Sequence, residues 1–331
     1  MTRTRYIDSL RGMAILFMIL AHTIPNDTHE LEKVSFIIRL LSSLAAPLFL
    51  FLVGFNFKPK EKMTHQLCVK ILLVFGLAVI VDCFLWQIIP FYSFDILYLI
   101  GLSIIALHLI SLKSKLINIT VIIVLLLGSF FYQVLAQYAP EVHELTFLEF
   151  NEFSITEMFR NLLFDGWFPI FPWLTFPILG YFLKSHFNYF HKVKLLYLII
   201  PLFFGLAYLE YLSPSMKRYF SLELFYPADI LYLSYAMCFI FISILTFKFI
   251  QWKRSDFLQI VGQPSLFIYV FHLFVIHWSF SLLYKSLNLT ISLVYTFYVI
   301  FFIFCSYLIS LWKNSHFYPK NSIILGFLMG K

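Results

Sequence analysis

Apolar residues fill this chain in long blocks separated by short polar punctuation, and the length of the blocks decides what they are. A bilayer core takes about 20 consecutive apolar residues when crossed by a helix. Ten stretches qualify, at approximately 7–24, 36–57, 67–88, 95–112, 116–136, 167–184, 194–212, 229–250, 262–283 and 289–312. Almost all connections are short, and the one long loop runs roughly from 137 to 166. The pattern predicts an all-α polytopic transmembrane helix bundle of about ten spans, folded as a single integral-membrane domain over residues 1–331. No internal repeat or low-complexity segment interrupts it.

Composition supports the pattern. The 331 residues are 61% hydrophobic and 12% charged, with 42 Phe and 20 Tyr, which leaves too little polar surface for a soluble globule. Secreted, coiled-coil, disordered and nucleic-acid-binding classes are excluded on the same ground. Cys68, Cys83, Cys238 and Cys305 stand singly inside apolar runs, without the C-x-x-C spacing of a zinc or redox site, and read as small buried side chains.

The net charge of +7 marks orientation instead of a nucleic-acid partner. Sixteen of the 24 basic residues fall on the N-terminal side: Arg3, Arg5, Lys58, Lys60, Lys62, Lys113, Lys115, Lys184, Lys192, Lys194, Lys248, Lys253, Arg254, Lys313, Lys320 and Lys331. The other side has five, namely Lys33, Arg160, Lys217, Arg218 and Lys285. Both termini are therefore expected in the cytoplasm. The acids Glu141, Glu144, Glu149, Glu152, Glu157 and Asp165 gather in the long loop on the opposite side. From Thr146 to Phe164 that loop interleaves Phe and Leu with acids, which fits either a short helix on the membrane surface or a solvated loop. The first span is not read as a signal peptide, because no small-x-small cleavage pattern follows Leu20 and the run carries Asp8, Arg11 and His22.

A charge at membrane depth costs about 2.5–3.5 kcal/mol on insertion scales, so such residues are functional candidates. Asp8, Arg11, Ile15, Met18 and His22 follow 3, 4, 3, 4 spacing and share one helical stripe. Arg11 and His22 differ by about 20° in azimuth and roughly 16 Å in height, so they could line one groove. The plainer alternative pairs Asp8 with Arg11 at the interface and makes His22 a capping residue. Further polar groups at depth are Arg39, Asp82, Asp95, His108, Asp229, His272 and His277. Asp95 and Asp229 stand at helix starts, where a carboxylate caps amides. Asp82 lies well inside its span and needs a partner such as Arg39 or a histidine.

Two later segments add to this. Ser265, Tyr269 and His272 share a second stripe, preceded by Gly262, Gln263 and Pro264, and either face substrate or form a packing network. Trp167 to Gly180, WFPIFPWLTFPILG, puts Pro169, Pro172 and Pro177 into one span. They cannot all occupy a helix interior, so an irregular wall of a site is expected there, with Trp173 on it, or else aromatic-belt anchoring by Trp167 and Trp173.

The opening RYIDSLRGMAILFMILAHT resembles the first helix of the integral-membrane acyltransferase superfamily, which includes the acyltransferase-three and heparan-α-glucosaminide N-acetyltransferase types. The shared feature is Arg-Gly near the start of the helix and a histidine toward its end, here Arg11 and His22. AAPLFLFLVGFNF from Ala45 is similar to the second-helix motif, WFPIFPWLTFPILG to the proline-rich sixth helix, and VGQPSLFIYVFH to the late Gly, Ser-Leu, Tyr, His motif. After helix 2 the chain has KPKEKMTHQLCVK where the acyltransferase-three branch is arginine-rich, which favours the heparan-acetyltransferase-like branch.

The resemblance implies transfer of an acyl group, usually acetyl, from cytoplasmic acetyl-CoA or another acyl-CoA to a hydroxyl or amine of a glycan or lipid-linked sugar on the far side. No bound cofactor or metal is implied. His22 would act as general base or transient acyl carrier. Arg11 would position the donor, and Asp8 would orient Arg11. Tyr269, His272, Ser265, Trp173 and Asp82 are the substrate-binding candidates. A bacterial inner membrane is the expected location, membrane lipid the surroundings, and a homo-oligomer stays open. The rival class is a secondary transporter using the intramembrane Asp, Arg and His as a relay, which would predict inverted repeats.

Overall fold

A computed structural model of the chain describes residues 5–23, 36–59, 62–111, 113, 115–135, 142–190, 228, 230–249, 256–281, 283, 287, 290–315, 319 and 322–328. Every regular element among them is helical, apart from a single isolated bridge between Ile88 and Thr146. Five runs are long and apolar enough to cross a membrane: Ile38–Asn56, His65–Trp86, Leu116–Leu135, Ile155–Lys184 and Ser292–Lys313. Shorter apolar helices cover Ile96–Ser111, Tyr232–Phe247 and Ser265–Phe280. The expected span at 194–212 and the expected cap Asp229 lie outside the described residues. Two compact units emerge, one of residues 1–48 and 242–331 and the other of 49–241.

The first unit is organised around α1 (Arg5–His22). Beside it lie α2 (Phe36–Ser42), α11 (Asp256–Gly262), α12 (Ser265–Ser281) and α13 (Ile291–Asn314), and α14 (Ile323–Leu328) packs on α12. Two glycines let α1 and α11 meet backbone to backbone. A Cβ on Gly12 would stand 2.1 Å from the Leu258 carbonyl oxygen, and one on Gly262 would stand 1.9 Å from that of Asp8. Small residues at such crossings are how helices approach closely in a membrane, where lipid gives them no hydrophobic push together.

The stretch 36–57, expected as one span, holds one membrane-length run, Ile38–Asn56, built from two helices. α2 ends at Ser42 and α3 (Ala45–Asn56) begins after a turn. Pro47 explains the position of the break, because its ring would collide with the carbonyl four residues earlier, at Ser43. The Ser42 and Ser43 hydroxyls donate to the Arg39 and Leu40 carbonyls at 2.8 Å each, satisfying groups the break releases.

The second unit holds α4 (His65–Val81), which widens into a π turn at Asp82–Trp86, then α5 (Ile96–Ser111) and α6 (Lys115–Leu135). α7 (Ile155–Arg160), α8 (Ile170–Trp173) and α9 (Thr175–Phe190) follow, and α10 (Ile230–Phe249) starts in this unit. The three prolines break the sixth span as expected: Pro169 caps α8, Phe171 is non-helical, and Pro177 sits in the first turn of α9. Close approach recurs here, since a Cβ on Gly54 would meet the Pro177 carbonyl oxygen at 1.7 Å.

The long loop is folded, with short helices at Phe147–Glu152 and Ile155–Arg160. Its Leu145 carbonyl accepts from Ile89 N–H at 2.7 Å, and Tyr92 donates to Glu157 at 2.6 Å. Asn161 donates to the Tyr92 carbonyl at 2.9 Å, while Ile89, Tyr92, Leu145 and Met158 make a small apolar core. Burial and the Glu157 carboxylate push the Tyr92 phenol up to about 12. Thr146 and Glu149 form a reciprocal capping box, whose hydroxyl and amide donors hold the Glu149 carboxyl below its usual range. Leu148, Phe150 and Ile155 stand exposed beside these acids.

Candidate functional site

Of the eight residues predicted from sequence, the first unit holds six, on two neighbouring helices. Asp8, Arg11 and His22 come from α1, and Ser265, Tyr269 and His272 from α12. Asp82 and Trp173 belong to the other unit.

At the N-terminal end of α1, Arg11 Nη1 donates to Asp8 Oδ1 at 3.0 Å. Asp8 is buried and Arg11 half-buried, so the pair is sheltered and the attraction is stronger than at a water-exposed surface. Gly262 of α11 touches the backbone carrying this pair, at the Asp8 carbonyl and the Gly12 amide. Along the stripe, Ile15 and Met18 are 0% and 3% exposed. The predicted stripe therefore faces protein, but its middle is filled with apolar packing instead of forming an open groove from Arg11 upward.

At the other end of α1, His22 is exposed. It does not serve as the helix cap, since Thr23 takes that part: its amide bonds to Ile19 and Leu20 carbonyls and its hydroxyl to Leu20 at 3.0 Å. His22 instead lies against His272, with ring centroids 5.1 Å apart and planes at 58°. His272 is 0% exposed. The edge of Tyr269 at 5.6 Å and that of Phe302 at 6.4 Å flank the same ring. Nδ1 of His272 lies on the Ile268 carbonyl at 3.2 Å and on the Tyr269 carbonyl, which fixes the ring to its own helix. α13 braces the region, with Tyr295 donating to Leu16 O at 3.4 Å and Tyr298 sharing a 2.8 Å bond with Ser279. Ser265 is half-buried at the start of α12. His277, further along α12, is exposed beside Trp278.

In the second unit, the partner of Asp82 is a tyrosine. The Tyr98 hydroxyl donates to Asp82 Oδ2 at 2.5 Å and accepts from the Phe91 amide at 3.2 Å. Asp82 and Tyr98 are both buried, and Asp82 Oδ1 has no hydrogen-bond partner among the described residues. Asp95 caps α5, accepting from Ile96 N–H at 2.6 Å. Trp173 is 1% exposed and packed among Phe168, Phe176 and Tyr232. That placement makes it part of the core, and neither a belt anchor nor a reachable wall. Trp167 instead donates to Glu144 at 2.6 Å in the folded loop.

Sequence reasoning read Gly12 as part of the Arg-Gly motif and Gly262 as part of a helix entry but missed their packing role, and it missed Tyr98. The first two carried a signal, as small residues in stripes otherwise full of large ones. Among the described residues no group of three or more His, Cys, Asp or Glu is gathered closely enough to hold a metal ion. Chemically, the first unit offers an exposed imidazole backed by a buried one, with an ion pair roughly 16 Å away along the same helix.

A family model described as heparan-alpha-glucosaminide N-acetyltransferase, catalytic, matches residues 3–223. The match takes in Asp8, Arg11, His22, Asp82 and Trp173, and ends before Ser265, Tyr269 and His272. No curated protein and no solved structure matches the chain.

Proposed function

The chain belongs to the heparan-alpha-glucosaminide N-acetyltransferase catalytic family, and from that premise we propose that it transfers an acyl group, most simply acetyl, from cytoplasmic acyl-CoA to an amine or hydroxyl of a glycan or lipid-linked sugar across the membrane. About ten spans with both termini in the cytoplasm, in a bacterial inner membrane, accommodate the sixteen-to-five split of basic residues. In this reading the whole chain acts as one membrane domain. Acetyl-CoA is a substrate, and no resident cofactor is called for.

The observation that carries this reading is the exposed His22 imidazole at the far end of the helix whose near end holds the Asp8–Arg11 pair. His22 takes the proton from the acceptor O–H or N–H as that atom attacks the thioester carbonyl. The C–S bond breaks, the acetyl group stays on the acceptor, and the imidazolium returns the proton to the leaving CoA thiolate. Arg11, oriented by Asp8, holds the donor's negative charge on the cytoplasmic side. Tyr269 and His272 pack behind His22 at the acceptor end, and Ser265, at the start of α12, lies toward the Asp8–Arg11 end as a donor-side contact.

The test is release of free CoA from acetyl-CoA by purified protein in nanodiscs, comparing wild type, His22→Ala and Arg11→Ala, each eluting normally on gel filtration. Release by wild type and loss in His22→Ala supports the reading. If wild type neither binds nor cleaves acetyl-CoA or longer acyl-CoAs, the enzyme reading falls and solute transport becomes the function to assay.

A further inference from the structure

The His272 ring has one nitrogen fully committed and the other idle. Nδ1 faces two backbone carbonyls, Ile268 and Tyr269, which can only accept, so Nδ1 carries a proton. Nε2 is buried without a hydrogen-bond partner among the described residues. A second proton there would leave an unpaired charge in a dry site, which is costly, so the ring is neutral and Nε2 presents a lone pair. A buried acceptor left empty is itself a penalty.

The group placed to fill it is His22. Phe302 has no N–H or O–H to give, and Tyr269 stands on the same helix as His272, one turn back. His22 arrives from a different helix with its centroid 5.1 Å away. An N–H···N bond of about 2.9 Å between rings whose nitrogens lie about 1.1 Å from their centres needs a centroid separation of about 5 Å. The separation is right. The torsion that would turn the His22 ring toward Nε2, χ2, is soft for an imidazole.

We propose that His272 is the positioning residue of His22: its Nε2 accepts the His22 N–H, locks His22 in one tautomer, and turns the other nitrogen's lone pair to the accessible side where the acceptor must bind. The inference rests on the proposed role of His22 as base. It also adds to that role, because an imidazolium formed on His22 keeps a charge-assisted bond to the buried ring. No proton passes to His272. The residue lies past the end of the 3–223 match, at the histidine of the late Gly, Ser-Leu, Tyr, His segment.

The experiment uses the full chain labelled with 15N-histidine in nanodiscs, together with His272→Phe, which keeps the packing, and His272→Gln, which keeps an acceptor. The His22 signals are identified by their loss in His22→Ala. In wild type, His22 shows one protonated and one unprotonated nitrogen, and His272 shows its proton on Nδ1. In His272→Phe the His22 nitrogens average between tautomers and kcat falls about 10- to 100-fold, with KM for acetyl-CoA within about twofold. His272→Gln recovers part of both the locked tautomer and kcat. A proton on His272 Nε2, averaged His22 nitrogens in wild type, or full kcat in a folded His272→Phe each overturns the proposal. If His272→Phe does not fold, the wild-type spectrum still decides. A locked His22 tautomer in a protein whose CoA release survives His22→Ala would sink the base reading and leave the pairing standing.

Discussion

Replacing Gly12 by Ala separates a packing requirement from an effect of composition. The added Cβ would sit 2.1 Å from Leu258 O, 2.8 Å from its carbonyl carbon and 3.0 Å from its Cα. A carbon and an oxygen rest comfortably at about 3.3 Å, so α1 and α11 must part by more than about 1 Å. Backbone has no rotamer through which to yield. Overpacking of this kind costs about 1–3 kcal/mol, and rigid neighbours place it at the upper end. Up to about 1 kcal/mol returns from the better helix propensity of Ala, leaving a net loss of about 2 kcal/mol. Gly76 is the matched control, a helical glycine whose Cβ would meet nothing within 4 Å. Gly76→Ala should be neutral or stabilising by up to about 1 kcal/mol. The assay is thermal unfolding of each variant in one detergent, followed by CoA release at a permissive temperature. Gly12→Ala should unfold several degrees early and release CoA about 10- to 100-fold more slowly, because a displacement near 1 Å at the helix carrying His22 is costly to alignment. Wild-type melting and turnover in Gly12→Ala, or equal damage in Gly76→Ala, would refute the reasoning.

Three further outcomes are expected. Asp8→Ala removes the 3.0 Å partner of a half-buried guanidinium and should destabilise by about 3–5 kcal/mol, more than Asp8→Leu combined with Arg11→Met; a double-mutant cycle with no coupling counts against this. Tyr98→Phe withdraws the hydroxyl from the buried Asp82 carboxyl and should cost about 1–3 kcal/mol of thermal stability, recovered when Asp82→Asn is added; an unchanged melting curve would contradict the pairing. The capping box should respond to pH. Because its donors lower the Glu149 carboxyl, its stabilisation is present above the ordinary glutamate range and disappears as pH falls through the lowered value. Hydrogen exchange at 146–153, corrected for intrinsic rates, should lose protection on acidification in wild type, and Glu149→Ala should show no such dependence.

Periodicity made the individual stripes legible, because a 3, 4, 3, 4 run of Asp8, Arg11, Ile15, Met18 and His22 has only one helical explanation. The broken sixth span was equally legible from its prolines. What periodicity cannot carry is which stripe meets which. His22 and His272 are separated by most of the chain, and no local pattern encodes their contact. Asp82 and Tyr98 are only 16 positions apart, yet the turn between them uses left-handed backbone at Gln87, Phe91 and Phe94, residue types that give no warning of it. Trp173 reads as amphipathic from its type, but packing among three other rings decided its place. The break at Ser43 could have been foreseen from Pro47, and the uninterrupted hydropathy around it correctly marks Ile38–Asn56 as one membrane-length run.

In the proposed orientation, Ile15 and Met18, packed tightly between Arg11 and His22, would also act as an electrical insulator. One polar station would open to each side of an energised membrane, with roughly 16 Å of helix between them. A continuous file of polar groups along that stripe would let protons run down their gradient. With apolar side chains in the gap, much of the transmembrane field falls there, and a unit charge crossing it works against about 2.3 kcal/mol per 100 mV. An acetyl group is neutral, so under the proposed transfer it would cross that barrier without electrical work while the membrane keeps its voltage.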